Sequence, residues 1–531
     1  MALIRRSASF ALATATALGL VVATHSTPRA QTDEPVFPVT AFVVEGATLV
    51  PATELQDAAN HHAGPAQRFA DIEKAREAVQ DAFVRRGYGA VQVVVPEQEV
   101  TGGEVRLRVI EARLGRIEIS GHEFHSESNI LASLPELREG ISPNTVALSR
   151  SLALANRSPA KQAVVSLGAG SQPGEIDARV VVRDEKPWRV TLGADDTGSR
   201  STGSARAFAT FRHANLFHRD HLFAAQYQTA PDNPENVTIV GGLYRLPLYR
   251  LGDSLLFLGS YSNVSAGSVA GFPISGRGSS FSGQYTRQLT PRASYEHSVS
   301  LRQGFGDYRS DLKTPDGGDG LRSDLSVRPL SLSYDATWRT QKRQAEGGLT
   351  LVRNIPGGRN GTQADFDANR LGAERGYTIL RFNGTFNQVF ANNASLTVRL
   401  GGQWTNDLLV PVEFFGIGGV DSVRGFYTRE TGDDKGVHGG LEWSTPDLAP
   451  RLNLARSGLR LSWFLDAGRV TRNDPLPGEI AGRTLASTGV GMRYSFDRSL
   501  QIRLDAAKVL RDGDLRPDDD HRLHGSLSWS F

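Results

Sequence analysis

Two charged residues in the C-terminal part of this chain stand where they could meet as an ion pair. Arg424 lies in the run GGVDSVRGF (418–426), which has no hydrophobic period, and Asp466 lies in the alternating segment GLRLSWFLDAG (458–468). A guanidinium binds a carboxylate through two parallel charge-assisted hydrogen bonds. If the run around Arg424 folds back towards Asp466, we expect the two side chains to pair. The alternative is a carboxylate that is solvated and has no partner.

The alternation around Asp466 decides where its side chain points. Trp463 and Leu465 belong to the apolar face of this segment, so Phe464 and Asp466 must point to the opposite face. Glycines stand on both sides of Arg424 in its run, and they would let the backbone turn tightly there.

The period-2 pattern extends from residue 188 to residue 531. Segments of about ten residues alternate apolar and polar positions, so one face favours lipid and the other favours water. We count sixteen such segments, and an even number is typical of a bacterial transmembrane β-barrel. The predicted strands lie near 188–197, 204–213, 219–229, 236–246, 251–262, 277–288, 294–304, 325–338, 343–353, 376–388, 394–404, 436–445, 456–467, 484–496, 500–510 and 521–531.

The connections between these segments alternate in length. Short turns such as QLTPRA and FANNA alternate with long polar loops, and bacterial barrels have short periplasmic turns and long outer loops. The long interval at about 406–435 therefore starts on the outer side, and folding back would bring Arg424 into the lumen. A soluble β-sandwich is the alternative, but so many evenly spaced strands are hard to accommodate in one sandwich.

The N-terminus has the pattern of an export signal. Arg5 and Arg6 precede an uncharged stretch (8–23), and small and polar residues follow up to Ala30, which predicts a signal peptide at 1–30. A retained N-terminal anchor is the alternative. Beyond residue 30 no stretch approaches the ~20 apolar residues of a transmembrane helix. A membrane location would therefore require strands.

The part between the signal and the barrel repeats itself. FVVEG (42–46) recurs as IEISG (117–121), and each copy is predicted to run strand, helix, helix, strand, strand. The second helix of the first copy ends at Gly87, a typical residue after a helix C-terminus. We therefore predict two small α+β modules, at 36–112 and 113–185.

Composition and motifs exclude several kinds of chemistry. The chain has no cysteine, so it forms no disulfide and no thiolate site, and a net charge of +2 is too small to indicate a nucleic-acid partner. No GxSxG, GK[ST] or HExxH motif is present, so we expect no enzyme, no nucleotide site and no cofactor. His213, His218 and His221 have a suggestive spacing but no carboxylate or cysteine frame, so no metal site is expected. His122 and His125 are expected to be solvated on the module surface.

Two short motifs in the barrel part carry a family resemblance. The chain resembles the two-partner secretion transporters (TpsB, or FhaC/ShlB-like proteins) of the BamA-related superfamily, over nearly the whole mature sequence. Both a VRG-aromatic motif in a lumen loop and an F-x-D-x-G motif on a later strand are typical of these proteins. The matching loop residues are Val423, Arg424, Gly425 and Phe426. The matching strand residues are Phe464, Asp466 and Gly468.

The resemblance implies a fold and a location. It implies two periplasmic α+β POTRA modules followed by a transmembrane antiparallel β-barrel of sixteen strands, at 188–531, in the outer membrane of a Gram-negative bacterium. It also implies that Arg424 and Asp466 pair inside the barrel, either in the service of transport or only to stabilise the assembled barrel. Some relatives begin with a helix that plugs the barrel. Because only residues 31–38 separate the signal from the first module, we expect no plug helix.

The resemblance also implies a function and its partners. The barrel would be the conduit for a large secreted exoprotein (TpsA-like, of adhesin, haemolysin or toxin type), and the modules would capture this cargo. Outer-membrane lipid and the barrel assembly machinery would be further partners, with no nucleic acid and no cofactor. The expected C-terminal assembly signal consists of Leu527, Trp529 and Phe531.

Two other functions stay open at the level of the sequence. The first is a BamA-like assembly factor for other outer-membrane proteins. The second is a passive porin or a surface receptor for a small ligand such as haem. Deletion of residues 36–184 would distinguish the second from a transporter, because a porin would keep its conductance whereas a transporter would lose secretion.

Overall fold

The computed structural model describes most of the chain beyond the predicted signal peptide. The signal at 1–30 and the first part of the expected linker lie outside the described residues. The described residues are 35–199, 202–264, 266–269, 272–275, 277–311, 322–513 and 521–531.

The first module packs two helices against a three-stranded sheet. In chain order its elements are β1 (Phe37–Val39), β2 (Ala41–Glu45), α1 (Ala52–Asn60), β3 (Gly64–Gln67), α2 (Phe69–Arg85), β4 (Gln92–Val94) and β5 (Glu104–Ile110). The sheet order is β2-β5-β4, with β2 parallel to β5. Val105, Leu107 and Val109 of β5 share one buried core with Val79 and Phe83 of α2, as periods of two and of about 3.6 residues predict. The ribbon of β1 and β3 is an addition that the repeat pattern does not predict.

The second module repeats this plan without the ribbon. Its elements are β6 (Arg113–Ser120), α3 (Glu127–Ala132), α4 (Thr145–Ala155), β7 (Lys161–Ala169) and β8 (Glu175–Asp184). The sheet order is β6-β8-β7. Side-chain caps fix where both helices begin, since Ser126 accepts a hydrogen bond from Asn129 N and Asn144 accepts one from Ala147 N.

A closed antiparallel barrel follows directly after the second module. Its strands and the elements between them are β9 (Trp188–Asp195), β10 (Arg206–Leu216), β11 (His221–Thr229), β12 (Thr238–Leu248), β13 (Asp253–Ser262), β14 (Ala266–Val269), β15 (Phe272–Ser275), β16 (Arg277–Gln288), β17 (Tyr295–Asp311), β18 (Arg322–Val327), β19 (Pro329–Arg339), β20 (Arg343–Asn354), α5 (Gln363–Asn369), β21 (Thr378–Val389), β22 (Ser395–Trp404), β23 (Phe415–Ile417), β24 (Thr431–Asp433), β25 (Lys435–Ser444), β26 (Ser457–Thr471), β27 (Gly482–Phe496), β28 (Leu500–Arg511) and β29 (His521–Ser530). Short 3₁₀ helices lie at Pro411–Glu413 and Ala449–Leu452.

The barrel has sixteen strands, which confirms the predicted fold. β18 and β19 both pair with β17 and together form one strand that is interrupted before Pro329, a residue without an N–H for the ladder. β14–β15 and β23–β24 are small two-stranded ribbons that are not part of the barrel wall. β29 pairs with β9 to close the barrel. The structure differs from the prediction in the outer loops, where β17 continues to Asp311 and the loop after β20 contains α5.

The outer face of the barrel is apolar along its circumference. Exposed residues such as Phe211, Val240, Leu332, Leu400 and Trp463 come from strands all around the wall. Such a band is typical of a surface that faces lipid. Among the described residues, no helix is long and apolar enough to cross a membrane.

A buried polar cluster joins the second module to the barrel rim. Asp220, in the turn between β10 and β11, accepts hydrogen bonds from Lys161 Nζ and from Tyr249 Oη, both at 2.6 Å. Next to it, His125 Nδ1 lies 2.9 Å from Asp184 Oδ2, and His125 Nε2 lies 3.9 Å from Asp220 Oδ1. We call these five residues the rim cluster.

The rim cluster corrects one expectation about the histidines. The expected solvation of His125 is wrong, because the barrel rim covers its ring. His122 keeps part of its exposure, with Nε2 at 3.7 Å from Glu127. The histidines around the β10–β11 turn have separate contacts, since His221 Nδ1 lies 2.6 Å from Tyr244 Oη while His213 Nδ1 accepts from Asn215 N. In the described part of the chain, no group of His, Cys, Asp and Glu could hold a metal ion.

Candidate functional site

The loop between β22 and β25 folds back into the barrel. Its two arms pair as the β23–β24 ribbon, and residues 418–430 form the tip. Val423, Arg424 and Phe426 of the tip are fully buried against the wall. Positive φ angles at Gly418, Gly419 and Gly425 turn the backbone there, and this conformation suits glycine. The three φ angles are 114°, 90° and 94°, in that order.

Arg424 binds Asp466 of β26 through both arms of its guanidinium. Nε donates to Oδ2 at 2.6 Å and an Nη atom donates to Oδ1 at 2.9 Å. The backbone N–H of Arg424 also points to Oδ2, at 3.3 Å. Phe464, two residues earlier on the same strand, lies under the guanidinium with 3.5 Å between Cζ and the ring centre. The loop motif and the strand motif therefore meet in one contact.

Two further carboxylates complete the surroundings of Arg424. Glu442 of β25 accepts a hydrogen bond from Arg424 at 2.6 Å, and Asp505 of β28 lies 3.7 Å away. Neither residue belongs to the loop motif or the strand motif. Alternation places both on the lumen face, because Glu442 lies between Leu441 and Trp443, but alternation does not say which strand a folded-back loop will meet.

Neighbouring arginines balance the charge of these carboxylates. Arg493 lies 2.8 Å from Asp505 and 3.6 Å from Glu442, and Arg503 lies 2.7 Å from Asp505. Arg399 lies 3.7 Å from Glu442. The wall around Arg424 is thus a network of alternating charges, and buried charges need such pairing to be tolerated. We call Arg424 with Glu442, Asp466 and Asp505 the arginine cluster.

Glycines on the neighbouring strands make room for this network. In the register, Gly440 of β25 lies opposite Asp466, and Gly489 of β27 lies opposite Phe464. A Cβ atom at position 440 would lie 2.6 Å from Asp466 Oδ1, and one at position 489 would lie 2.5 Å from the Phe464 ring. The carboxylate and the ring therefore lie over positions that have no side chain.

Gly468 receives the apolar part of the loop tip. A Cβ atom at this position would lie 3.1 Å from a methyl group of Val423 and 3.3 Å from Ile417. Val423 and Phe426 belong to a buried apolar cluster with Leu485 of β27. The glycine of the strand motif thus explains how the tip approaches the wall so closely.

The tip also contacts the last strand of the barrel. The N–H of Gly425 donates to His524 Nε2 at 2.8 Å, and His524 Nδ1 lies 2.7 Å from Asp196 Oδ2. Arg522 lies over the ring of Tyr427, with 3.8 Å between Cζ and the ring centre. None of these contacts follows from the sequence motifs.

A second set of buried contacts holds the base of the loop. Arg370, just after α5, binds both oxygens of Asp434, at 2.5 and 3.0 Å. Glu413 accepts from Tyr377 at 2.7 Å and from Arg381 at 2.7 Å. The loop is therefore fixed both where it leaves the outer rim and at its tip.

The expected C-terminal signal residues lie on the outer face of the barrel. Leu527, Trp529 and Phe531 are all exposed, and the rings of Trp529 and Phe531 stack with 5.3 Å between their centres. They lie on the face opposite to His524, as strand alternation predicts.

Comparison with protein-family models gives two matches along the chain. Residues 174–494, more than half of the chain, match the family described as haemolysin secretion/activation protein ShlB/FhaC/HecB. Residues 37–112 match the ShlB-type POTRA domain.

Individual relatives agree with these matches. The chain is 23% identical to the hemolysin transporter protein ShlB of Serratia marcescens over 520 residues, which cover 93% of this chain and 86% of that protein. It is 24% identical to the outer membrane transporter CdiB of Escherichia coli, over 33% of this chain and 30% of that protein.

A solved structure shows the same fold. CdiB from Escherichia coli superimposes with a TM-score of 0.71 at 19% identity, covering 96% of this chain and 93% of that chain. The POTRA modules, the sixteen-stranded barrel and the family match place the barrel in the outer membrane and the modules in the periplasm. This chain belongs to the haemolysin secretion/activation protein family ShlB/FhaC/HecB, the outer-membrane transporters of two-partner secretion.

Proposed function

We propose that this transporter moves one large exoprotein, of the adhesin, haemolysin or toxin type, from the periplasm to the cell surface, and that the anchored loop shapes its path. The observation that carries this proposal is the arginine cluster, which holds the loop tip inside the lumen. A barrel that served only as a passive pore would have no need of a buried ion pair at the tip of such a loop.

The lumen wall away from the arginine cluster has the chemistry of a protein conduit. Pairs of polar side chains cross neighbouring strands there, including Thr210 with Gln226, Ser260 with Ser280, and Ser333 with Thr350. Arg302 adds charge by donating twice to Gln284, at 2.8 and 2.6 Å. A polar, hydrated wall offers an extended chain hydrogen bonds without an apolar surface on which to stick.

We further propose that the first module captures the cargo by adding a strand to its sheet. β4 is an edge strand, and a groove of about 700 Å³ lies between it and α2. Phe69 and Val100 line this groove and are exposed. Addition of a strand to a sheet edge gives affinity through main-chain hydrogen bonds, and adjoining apolar side chains give selectivity.

Replacement of Phe69 by glutamate tests the capture step. Phe69 is 55% exposed and is the first residue of α2, where an acidic side chain is favourable for the helix, so the module should still fold. We expect Phe69→Glu to reduce secretion of the partner into the medium several-fold. The partner to assay is the product of the neighbouring gene if that gene encodes a large exported protein, and heat-modifiable migration on gels reports barrel assembly.

Ile141→Glu is the matched control for this experiment. Ile141 is an exposed apolar residue of the second module, at 51% exposure, and lies outside the groove. It should leave secretion unchanged. Equal loss of secretion in both variants would show that added charge anywhere on the modules is harmful, and the groove would lose its assigned role.

The proposed transport cycle includes no enzymatic step and no bound cofactor. Binding to the modules and folding of the cargo outside the cell would supply the driving force. We also propose that Leu527, Trp529 and Phe531 present an apolar outer edge to the barrel assembly machinery during biogenesis, since all three are exposed on the lipid side.

A further inference from the structure

The seam between the first and last strands is short at its outer end. β29 pairs with β28 from His521 onwards, but it pairs with β9 only from Ser526 to Ser530. Within the described residues, the outer part of β29 therefore has no ladder with β9. An unpaired strand edge is costly in a membrane barrel, because its N–H and C=O groups need partners.

Asp196, the residue after β9, extends the seam by contacts with Gly525 and His524 of β29. Its N–H donates to Gly525 O at 3.2 Å, and its Oδ1 accepts from Gly525 N at 3.2 Å. Its Oδ2 lies 2.7 Å from His524 Nδ1 and 3.4 Å from Arg522. One main-chain hydrogen bond and the contacts of the Asp196 side chain thus replace the missing ladder at this point.

The hydrogen bonds define the tautomer of His524. The N–H of Gly425 is a donor only, so His524 Nε2 must be the acceptor. The proton of the neutral imidazole then lies on Nδ1 and is donated to the carboxylate of Asp196. One buried ring therefore joins the loop tip, the last strand and the residue after the first strand.

We propose that His524 is a positioning residue that couples the lumen loop to the barrel seam. With the tip in place, Gly425 holds the ring against Asp196 and the outer end of the seam is closed. Withdrawal of the tip removes one of the two partners that orient the ring. Arg522 lies over Tyr427 of the same tip, so two neighbouring residues of β29 contact the loop.

Seam-specific disulfides test this coupling. The chain has no cysteine, so introduced pairs are clean reporters. Thr191 and Ser530 face each other across the seam with their hydroxyl oxygens 2.8 Å apart, and Ser333 and Thr350 do so within the wall at 2.9 Å. The seam pair is Thr191→Cys with Ser530→Cys, and the control pair is Ser333→Cys with Thr350→Cys.

Samples are heated to a series of temperatures before electrophoresis. The measurement is the temperature at which the band of the folded barrel disappears. His524→Phe keeps a ring without an acceptor and should lower this temperature, whereas His524→Gln keeps an acceptor for Gly425 and should lower it less. The oxidised seam pair should restore the value, or restore assembly if His524→Phe fails to fold, and the control pair should not.

Three results would overturn the proposal. The first is an unchanged transition in His524→Phe, and the second is equal loss in the Gln and Phe variants. The third is a seam disulfide that restores no more than the control disulfide does, which would mean that His524 contributes only general packing.

Discussion

At the scale of residues, the geometry of a guanidinium explains why Arg424 stands at the loop tip. Its planar fork binds both oxygens of Asp466 and still reaches Glu442, while its face lies on Phe464. A lysine ammonium offers no such fork and no flat face. Removal of one partner from a buried ion pair costs about 3–5 kcal/mol, because the remaining charges stay buried and unpaired.

A methyl group at position 440 tests the space that the cluster needs. A Cβ atom there would lie 2.6 Å from Asp466 Oδ1, so Gly440→Ala should displace the carboxylate from Arg424. We expect a loss of about 1–3 kcal/mol in the free energy of unfolding, the usual range for overpacking. Urea unfolding of the barrel in lipid vesicles measures it.

Gly259→Ala on β13 is the control for this substitution. An added Cβ atom meets nothing within 4 Å at that position, so we expect a change within about 0.5 kcal/mol. If the two variants were equally stable, the close packing between β25 and Asp466 would be of no consequence for the barrel.

Only part of this site can be predicted from the sequence, and the reason is physical. Short motifs and alternation bring Arg424 and Asp466 into view. They do not identify Asp505 or His524, because these residues come close to the loop tip only when the barrel closes. Which lumen-facing residues lie beside a folded-back loop depends on strand order and register, and a single sequence states neither.

At the scale of elements, alternation predicts the barrel strands well and the outer loops poorly. A strand with one face in lipid and the other in water must alternate, so its pattern is strong. α5 is too short to show a helical period, and it depends on the Thr362–Asp365 capping box and on burial of Phe366. Such local and tertiary contacts have a weak sequence signal.

The rim cluster leads to a prediction about pH. Burial lowers the pKa of His125 below its ordinary value of 6.5, and Lys161 acts in the same direction, while Asp184 and Asp220 oppose the change. A histidine that is released from the rim would bind a proton at a higher pH than the buried one does. Docking of the second module is therefore fully favoured above pH 6.5 and should weaken as the pH falls below it.

Hydrogen exchange at two pH values measures this effect. After correction for intrinsic rates, amides of residues 123–133 should lose protection between pH 7.5 and pH 5.5, while amides of α2 in the first module should keep theirs. His125→Gln, which does not titrate, should abolish the difference. Stronger protection at pH 5.5 would mean that a protonated His125 pairs with Asp220 and that the predicted sign is wrong.

At the scale of the whole molecule, three separate buried charge clusters hold neighbouring elements together, from the periplasmic module to the outer rim. The rim cluster holds the second module on the barrel, the arginine cluster holds the loop tip on the wall, and Arg370 with Asp434 holds the base of the loop. Each link joins two different elements through a charge pair. This arrangement supports the proposed route, in which the modules bind the cargo and the fixed loop guides it through the barrel.

Secretion by variants of Arg424 is the most direct test of this account. The amount of partner exoprotein in the medium is compared for the unmodified chain, Arg424→Lys and Arg424→Ala, with heat-modifiable migration as the control for barrel assembly. We expect both variants to assemble, and we expect secretion to fall strongly in Arg424→Lys and to be lost in Arg424→Ala. Full secretion by an assembled Arg424→Ala barrel would contradict the account, because the anchored loop would then have no part in transport.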